Sequence, residues 1–172
     1  MREAIKSKVD KLVGLNLRYI GRASNLFWLG FGEKILVTRR RKTEEVAEYA
    51  LHIQCSWRIA KGNKIIVGSR DFYSPRTDLE NENEHFEWDV QGNNRFDERI
   101  KSIIEDINQH TIVERFESDE VGGLKSFLSQ GYLLEVFPDT SEDDEYSKFW
   151  RLFNRKEDSS HFVVTGNGIE NE

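Results

Sequence analysis

The sequence predicts an α+β protein made of two pseudo-repeats, each with one helix and about five mostly antiparallel strands. Three observations predict this fold class. Residues 50–59 alternate between apolar and polar side chains, which is typical of a half-buried strand. Residues 94–107 carry apolar side chains at helical spacing. The order of predicted elements in the first half of the chain then recurs in the second half.

The first predicted unit begins with an amphipathic helix over residues 2–14. Its apolar face consists of Ile5, Val9 and Leu12. Short β-type segments follow, and Gly32 is predicted to make a tight turn between two of them. The strand 50–59 is followed by a hairpin turn at residues 61–63.

The second predicted unit begins with a helix for which Asn94 is the candidate N-cap. The apolar positions of this helix are Phe96, Ile100, Ile103, Ile104 and Ile107. Strands are predicted over residues 111–117, 124–129, 132–137, 148–153 and 162–165. The residues after 166 are predicted to form a frayed tail.

The segment between the two units, residues 74–93, is polar and acidic and shows no periodicity. An unstructured loop of this length inside a compact domain is usually functional or disordered. We therefore divide the chain into a first repeat over residues 1–73, the acidic loop 74–93, and a second repeat over residues 94–168, all within one globule.

The two units match at named positions. The helix residues Ile5, Val9 and Leu12 correspond to Ile100, Ile104 and Ile107, each 95 positions later, and Gly32 corresponds to Gly131. Residues 57–59 (WRI) correspond to residues 150–152 (WRL). This nearly constant offset predicts an internal duplication, although a helix-plus-sheet protein also yields such matches when it is aligned by eye. A single unit of about 70 residues has a marginal core, and two units can bury each other's apolar faces.

The composition limits the setting and the partners. The net charge of −6 argues against non-specific nucleic-acid binding, which depends on Lys and Arg contacts to phosphate. The only cysteine is Cys55, so no internal disulfide is possible and a reducing compartment is indicated. The N-terminal segment lacks the apolar core of a signal peptide, and no apolar run is long enough to span a membrane. We therefore expect a cytoplasmic protein.

No catalytic, cofactor-binding or metal-binding residue is predicted. His52 and Cys55 lie three positions apart on a strand, so they point to opposite faces and cannot hold one ion together. None of the four histidines lies in a metal-binding motif. The lone G-x-G at residues 30–32 lacks the following helix that phosphate binding needs, and it is interpreted as a hairpin turn.

The first candidate for partner binding is the aromatic pair Phe86 and Trp88 in the acidic loop. Aromatic side chains surrounded by charges are typical of the hot spots of protein interfaces. The alternative is that both side chains fold back onto the sheet. The sequence does not separate these two interpretations.

The second candidate is a pair of oppositely charged loops. Residues 39–42 (RRRK) form a basic loop. A second acidic loop, at residues 141–145 (SEDDE), contains Glu142, Asp143, Asp144 and Glu145. Under the duplication hypothesis these loops are equivalent in position. They predict a steered contact with a charged partner, or self-association through the basic loop of one molecule and the acidic loop of another. The alternative is two solvated hairpin ends.

The strings ALHIQCSWRI and IIVGSRDFY (within residues 50–73) and FWRLF and HFVVTGNGIE (within residues 149–170) carry a resemblance. The chain resembles small uncharacterised bacterial proteins of the toxin-immunity type. The resemblance implies a cytosolic binding protein and transfers no functional residue.

The leading hypothesis is a non-enzymatic, cytosolic protein-binding module, in keeping with an immunity protein that neutralises a basic toxin domain. The alternative is a small-ligand-binding protein or an unrecognised enzyme with a pocket between sheet and helix. A homodimer is a third possibility. No cofactor, nucleic acid or membrane is expected as a partner.

Overall fold

The computed structural model describes residues 1–79, 86–107, 110–142, 147–157 and 160–171. Its helices are α1 (Arg2–Val9) and α2 (Arg95–Asp106), with 3-10 helices at Asp10–Leu12, Ser69–Tyr73, Thr77–Leu79 and Ser129–Gly131. The strands of the first half are β1 (Leu17–Ala23), β2 (Leu26–Arg39), β3 (Lys42–Ile53), β4 (Ser56–Lys61) and β5 (Lys64–Gly68). Those of the second half are β6 (Val113–Ser118), β7 (Leu124–Leu128), β8 (Tyr132–Phe137), β9 (Lys148–Asn154), β10 (Phe162–Thr165) and β11 (Gly168–Asn171).

Within the described residues, the strands form two antiparallel sheets, which confirms the predicted α+β class. The six-stranded sheet has the order β1-β2-β3-β9-β10-β11, and the five-stranded sheet has the order β5-β4-β8-β7-β6. Each half of the chain therefore contributes strands to both sheets. The chain crosses from one sheet to the other between β3 and β4, and again between β8 and β9.

The inner faces of the two sheets share one hydrophobic core. Phe27 of β2 stacks on Trp57 of β4 with ring centroids 3.8 Å apart, which joins the two sheets directly. Phe96 of α2 packs edge-on against both rings, at 5.8 and 5.9 Å. Such aromatic contacts stabilise the core beyond the simple burial of apolar area.

The predicted strand 50–59 is two strands in the structure. Its alternation continues without a break from β3 into β4, but the chain leaves the six-stranded sheet at Gln54 and Cys55 and enters the five-stranded sheet at Ser56. Both backbone N–H groups of this crossing donate to the carbonyl of Phe149, at 2.8 and 3.3 Å. Leu51 and Trp57 both face the core, so the pattern of burial carries no sign of the crossing.

The predicted tight turn at Gly32 is wrong. Gly32 has φ +88° and lies at a β-bulge inside the long strand β2, where the register to β3 shifts between Phe31 and Lys34. A residue with a side chain is strained at this φ, which explains the glycine. The turn itself lies at Arg40 and Arg41, at the tip of a β2–β3 arm.

The predicted equivalence of the two charged loops is also wrong. The basic residues form the β2–β3 turn, whereas residues 142–145 lie in the connection from β8 to β9. Because β9 pairs antiparallel with β3 through Ile53 and Trp150, that connection enters at the end of β3 opposite the arm. The basic turn and the point where the β8–β9 connection enters β9 therefore lie at opposite ends of β3.

Two smaller expectations also differ from the structure. Val9 is buried, whereas its predicted counterpart Ile104 is 47% exposed, and Ile103 takes the core position on α2. The predicted frayed tail contains β11, which pairs with β10 from Phe162 to Thr165.

A buried ion pair joins β1 to α2. Arg22 Nε and Nη2 donate to the two carboxylate oxygens of Asp97 at 2.8 and 2.7 Å, and the side chains are 1% and 4% exposed. Arg22 Nη2 also donates to the carbonyl of Val90, and the N–H of Gly92 donates to Asp97 at 2.6 Å. The pair thus fixes the loop that precedes α2, and Asn94 caps the helix as predicted by accepting from the N–H of Asp97.

Replacement of Arg22 should destabilise the fold strongly. Arg22→Ala leaves the Asp97 carboxylate buried without its charge partner, and we expect the free energy of unfolding to fall by about 3–5 kcal/mol. Arg115→Ala is the control because Arg115 pairs with Glu117 on the surface, and it should cost about 1 kcal/mol or less. Urea unfolding followed by circular dichroism measures both. Equal losses in the two variants would show that the Arg22–Asp97 pair contributes no more to stability than a surface ion pair does.

Candidate interaction surface

A polar cleft of about 210 Å³ opens at the end of the molecule where the chain crosses between the sheets. It lies beside the Gln54–Cys55 crossing and the end of β8. Its lining residues are Asn25, Gln54, Cys55, Ser56, Trp57, Ser69, Arg70, Phe72, Tyr73 and Asp139. We call this site the crossing cleft.

Tyr73 lines the crossing cleft, and Trp88 packs against it. Tyr73 ends a 3-10 helix and is 54% exposed, and its ring lies 5.0 Å from that of Trp88. Asn25 Nδ2 donates to the Tyr73 hydroxyl at 3.4 Å. Trp88 is half-buried, and its carbonyl accepts from Asn94 Nδ2 at 2.9 Å. Trp88 is therefore held against Tyr73 by the capping residue of α2.

Asp139 also lines the crossing cleft, and it is the first residue of the acidic sequence 139–145, which we call the acidic segment. The carboxylate of Asp139 accepts hydrogen bonds from the backbone N–H and the hydroxyl of Ser56, at the start of β4. Glu142 follows in the same connection and is exposed, and its N–H donates to the Thr140 hydroxyl at 3.2 Å. The hydrogen bonds with Ser56 thus fix the first residue of the acidic segment at the cleft.

The candidate residues predicted from the sequence meet this description in part. Trp88 packs against Tyr73, which lines the crossing cleft, and Phe86 is half-buried in the same loop as Trp88. Glu142 lies three residues beyond Asp139. Asp143, Asp144 and Glu145 lie outside the described residues.

Sequence reasoning missed Tyr73 and Asp139. Tyr73 comes directly after Phe72, which is buried, so a single aromatic stretch contains one core residue and one surface residue. Only the 3-10 geometry of Ser69–Tyr73 separates the two rings. Asp139 follows Pro138, and a Pro-Asp pair after a strand was a turn signal that pointed to this position.

His52 lies near the end of β3 and Cys55 lies at the crossing, and both side chains are uncharged at neutral pH. Burial raises the pKa of the Cys55 thiol to about 12, so it remains protonated. Burial, and then the charges of Arg151 and Arg155 and the nearby His161, lower the pKa of His52 to about 4. Arg151 Nε donates to His52 Nδ1 at 3.3 Å, which requires a neutral ring nitrogen as acceptor.

Within the part of the chain that the structure describes, no group of three or more His, Cys, Asp or Glu side chains is placed to hold a metal ion. No described helix combines the length and the apolar character needed to cross a membrane. Comparison of the chain with protein-family models, with curated proteins and with solved structures gives no match.

The lowered pKa of His52 makes stability depend on pH. The unfolded chain binds a proton on His52 below about pH 6.5, whereas the folded chain binds it only near pH 4, so stability falls as the pH falls through this range. Because His52 is only partly buried, we expect a loss of up to about 2 kcal/mol. His52→Gln should remove this part of the pH dependence in urea unfolding series between pH 7 and pH 4. An unchanged slope would contradict the assignment to His52.

Proposed function

We propose that this chain is a non-enzymatic protein-binding module that holds a basic partner at the crossing cleft. The observation that carries the proposal is that Tyr73, which packs against Trp88, and Asp139, the first residue of the acidic sequence 139–145, line the same cleft. An exposed tyrosine next to a fixed tryptophan offers rigid contact area at low entropic cost.

The charge of the acidic segment supports a basic partner. Asp139 lines the cleft and is exposed, Glu142 is exposed three residues later, and the sequence adds Asp143, Asp144 and Glu145 directly after it. Arg70 is the basic residue among those that line the cleft. Such a concentration of negative charge raises the association rate of a positively charged protein and suppresses acidic competitors.

The partner class that we favour is a basic toxin domain, with this chain as its cytoplasmic immunity protein. The resemblance to toxin-immunity proteins supports this class, and a reducing compartment fits the single half-buried cysteine. Binding alone neutralises an enzyme if it covers the active site, so this function needs no catalytic residue in the chain.

The first test is capture of a stoichiometric partner from the native host, followed by titration calorimetry with the purified partner. Tyr73→Ala should weaken binding at least about tenfold because it removes the exposed aromatic contact. Glu142→Lys should weaken binding and reduce its dependence on salt. Glu114→Lys makes the same charge change at an exposed position on β6 and is the matched control. A partner that binds all three variants equally would place the interface elsewhere.

We also propose that the chain arose by duplication of one unit of a helix and five strands. The strongest support is the contact between the two halves before β1 and β6. Asn16 pairs antiparallel with Ile112, 96 positions later, and Leu17 N–H donates to the carbonyl of Thr111 while Val113 N–H donates to that of Leu15. Each residue thus meets its own counterpart, as it does across a two-fold axis.

The strand pairings that join the two halves of the chain within each sheet support the same two-fold relation. Ile53 pairs with Trp150 and Leu51 with Leu152, while Val136 pairs with Trp57 and Leu134 with Ile59. The pairing of β3 with β9 therefore has the same register as that of β8 with β4. The β-bulges between Leu17 and Tyr19 and between Val113 and Arg115 also lie 96 positions apart.

The duplication makes Arg151–His52 the counterpart of the Arg58–Glu135 pair, in which Arg58 lowers the pKa of Glu135. A carboxylate should therefore fit at position 52. We expect His52→Glu to be about 1 kcal/mol more stable than His52→Gln at pH 7, because Arg151 and Arg155 surround the site with positive charge. Thermal unfolding of the two variants measures the difference. A less stable His52→Glu variant would show that the two sites are not equivalent.

A further inference from the structure

The outer edge of β5 is unpaired among the described residues. β5 ends the five-stranded sheet, whereas β10, at the corresponding place in the six-stranded sheet, carries β11 on its outer side. There Val163 pairs with Glu170 and Thr165 with Gly168. The five-stranded sheet thus stops one strand short of its neighbour.

The chain after β5 turns away from this edge. Asp71 accepts a hydrogen bond from the N–H of Gly68 at 2.9 Å and starts the 3-10 helix Ser69–Tyr73. After β10, in contrast, a two-residue turn leads directly into β11. The local sequence after β5 therefore favours a turn over a returning strand.

The edge is apolar and short of protective charge. Ile65 is 62% exposed and Ile66 is half-buried, and Lys64 is the charged residue of the strand. Exposed apolar edge strands pair readily with an added strand, and soluble proteins usually block them with charges, prolines or covering segments. The β5 edge has the properties of a pairing surface.

A basic groove runs beside this edge. It has a volume of about 540 Å³ between β5 and α2, and Lys64, Ile65, Ile66, Asp71, Arg95, Arg99 and Ser102 line it. Among the described residues that line the groove, three are basic and one is acidic, in a protein of net charge −6. The groove therefore has the opposite charge to most of the molecule and to the acidic segment at the crossing cleft.

We propose that the β5 edge and this groove bind an extended acidic segment of a partner protein, which adds to the five-stranded sheet as a sixth strand. Backbone hydrogen bonds to β5 supply the affinity, and Lys64 and Arg99 select acidic side chains. A second copy of this chain pairing through its own β5 would bring Lys64 and the α2 arginines towards their like-charged counterparts. This surface is separate from the crossing cleft and does not depend on the function proposed there.

The test is an NMR titration of the full-length chain with a seven-residue peptide in which Glu alternates with Val. We expect saturable shifts of the amide signals from Lys64 to Gly68 and of Arg99. A peptide with Lys in place of Glu should give no shifts. Arg99→Glu should weaken binding of the acidic peptide at least about tenfold, whereas Lys101→Glu, an exposed residue of the same helix outside the groove lining, should leave it within about twofold.

Three results would overturn the proposal. Slow deuterium exchange, in the free protein, of the β5 amides that point away from β4 would mean that the edge is already covered. Equal shifts with the Glu and Lys peptides, or none with either, would remove the acidic segment as occupant. Sedimentation of the free chain as a dimer that Ile65→Lys dissociates would make a second copy the occupant instead.

Discussion

The buried pair of Arg22 and Asp97 is the constraint on which the candidate surface depends. Two charges removed from water are tolerated only when their hydrogen bonds are satisfied, and here backbone groups of the loop before α2 complete the set. If the loop moved away from Arg22, a buried charge would remain in an apolar environment without these hydrogen bonds. Trp88, whose carbonyl accepts from the capping residue Asn94, therefore owes its position in part to a residue on β1.

Neither half of the chain closes a core by itself. Each half places three strands in one sheet and crosses to the other sheet, so β3 needs β9 and β8 needs β4 as neighbours. Each helix also packs against a strand from the other half of the chain: α1 packs on β6, and α2 packs near β1. A half of about 70 residues has a marginal core of its own, and this exchange lets the two halves bury their apolar faces together. It also places both crossings, and hence the crossing cleft, at the ends of the sheets.

The parts of the fold that were predictable have short-range causes. The N-cap at Asn94 and the apolar face of α2 follow from spacing along a few residues. The parts that were not predictable depend on contacts between distant residues. The Arg22–Asp97 pair joins positions 75 apart, and the break at Gln54 and Cys55 is invisible because both strands keep the same inward face. At the site, Trp88 was predictable as an aromatic residue among charges, whereas Tyr73 looked like a continuation of the core.

The two proposed surfaces meet at the 3-10 helix Ser69–Tyr73. Arg70 and Tyr73 line the crossing cleft, and Asp71 lines the groove beside β5, so adjacent residues of one short helix serve surfaces of opposite charge. A partner that carries a basic surface next to an extended acidic segment can engage both at once. The second contact is then intramolecular, and the combined affinity exceeds that of either contact without any new interaction. A partner of uniform charge would gain at one of the proposed surfaces and be repelled at the other, where like charges would face each other. The two proposed surfaces together would therefore select for a partner with both signs of charge.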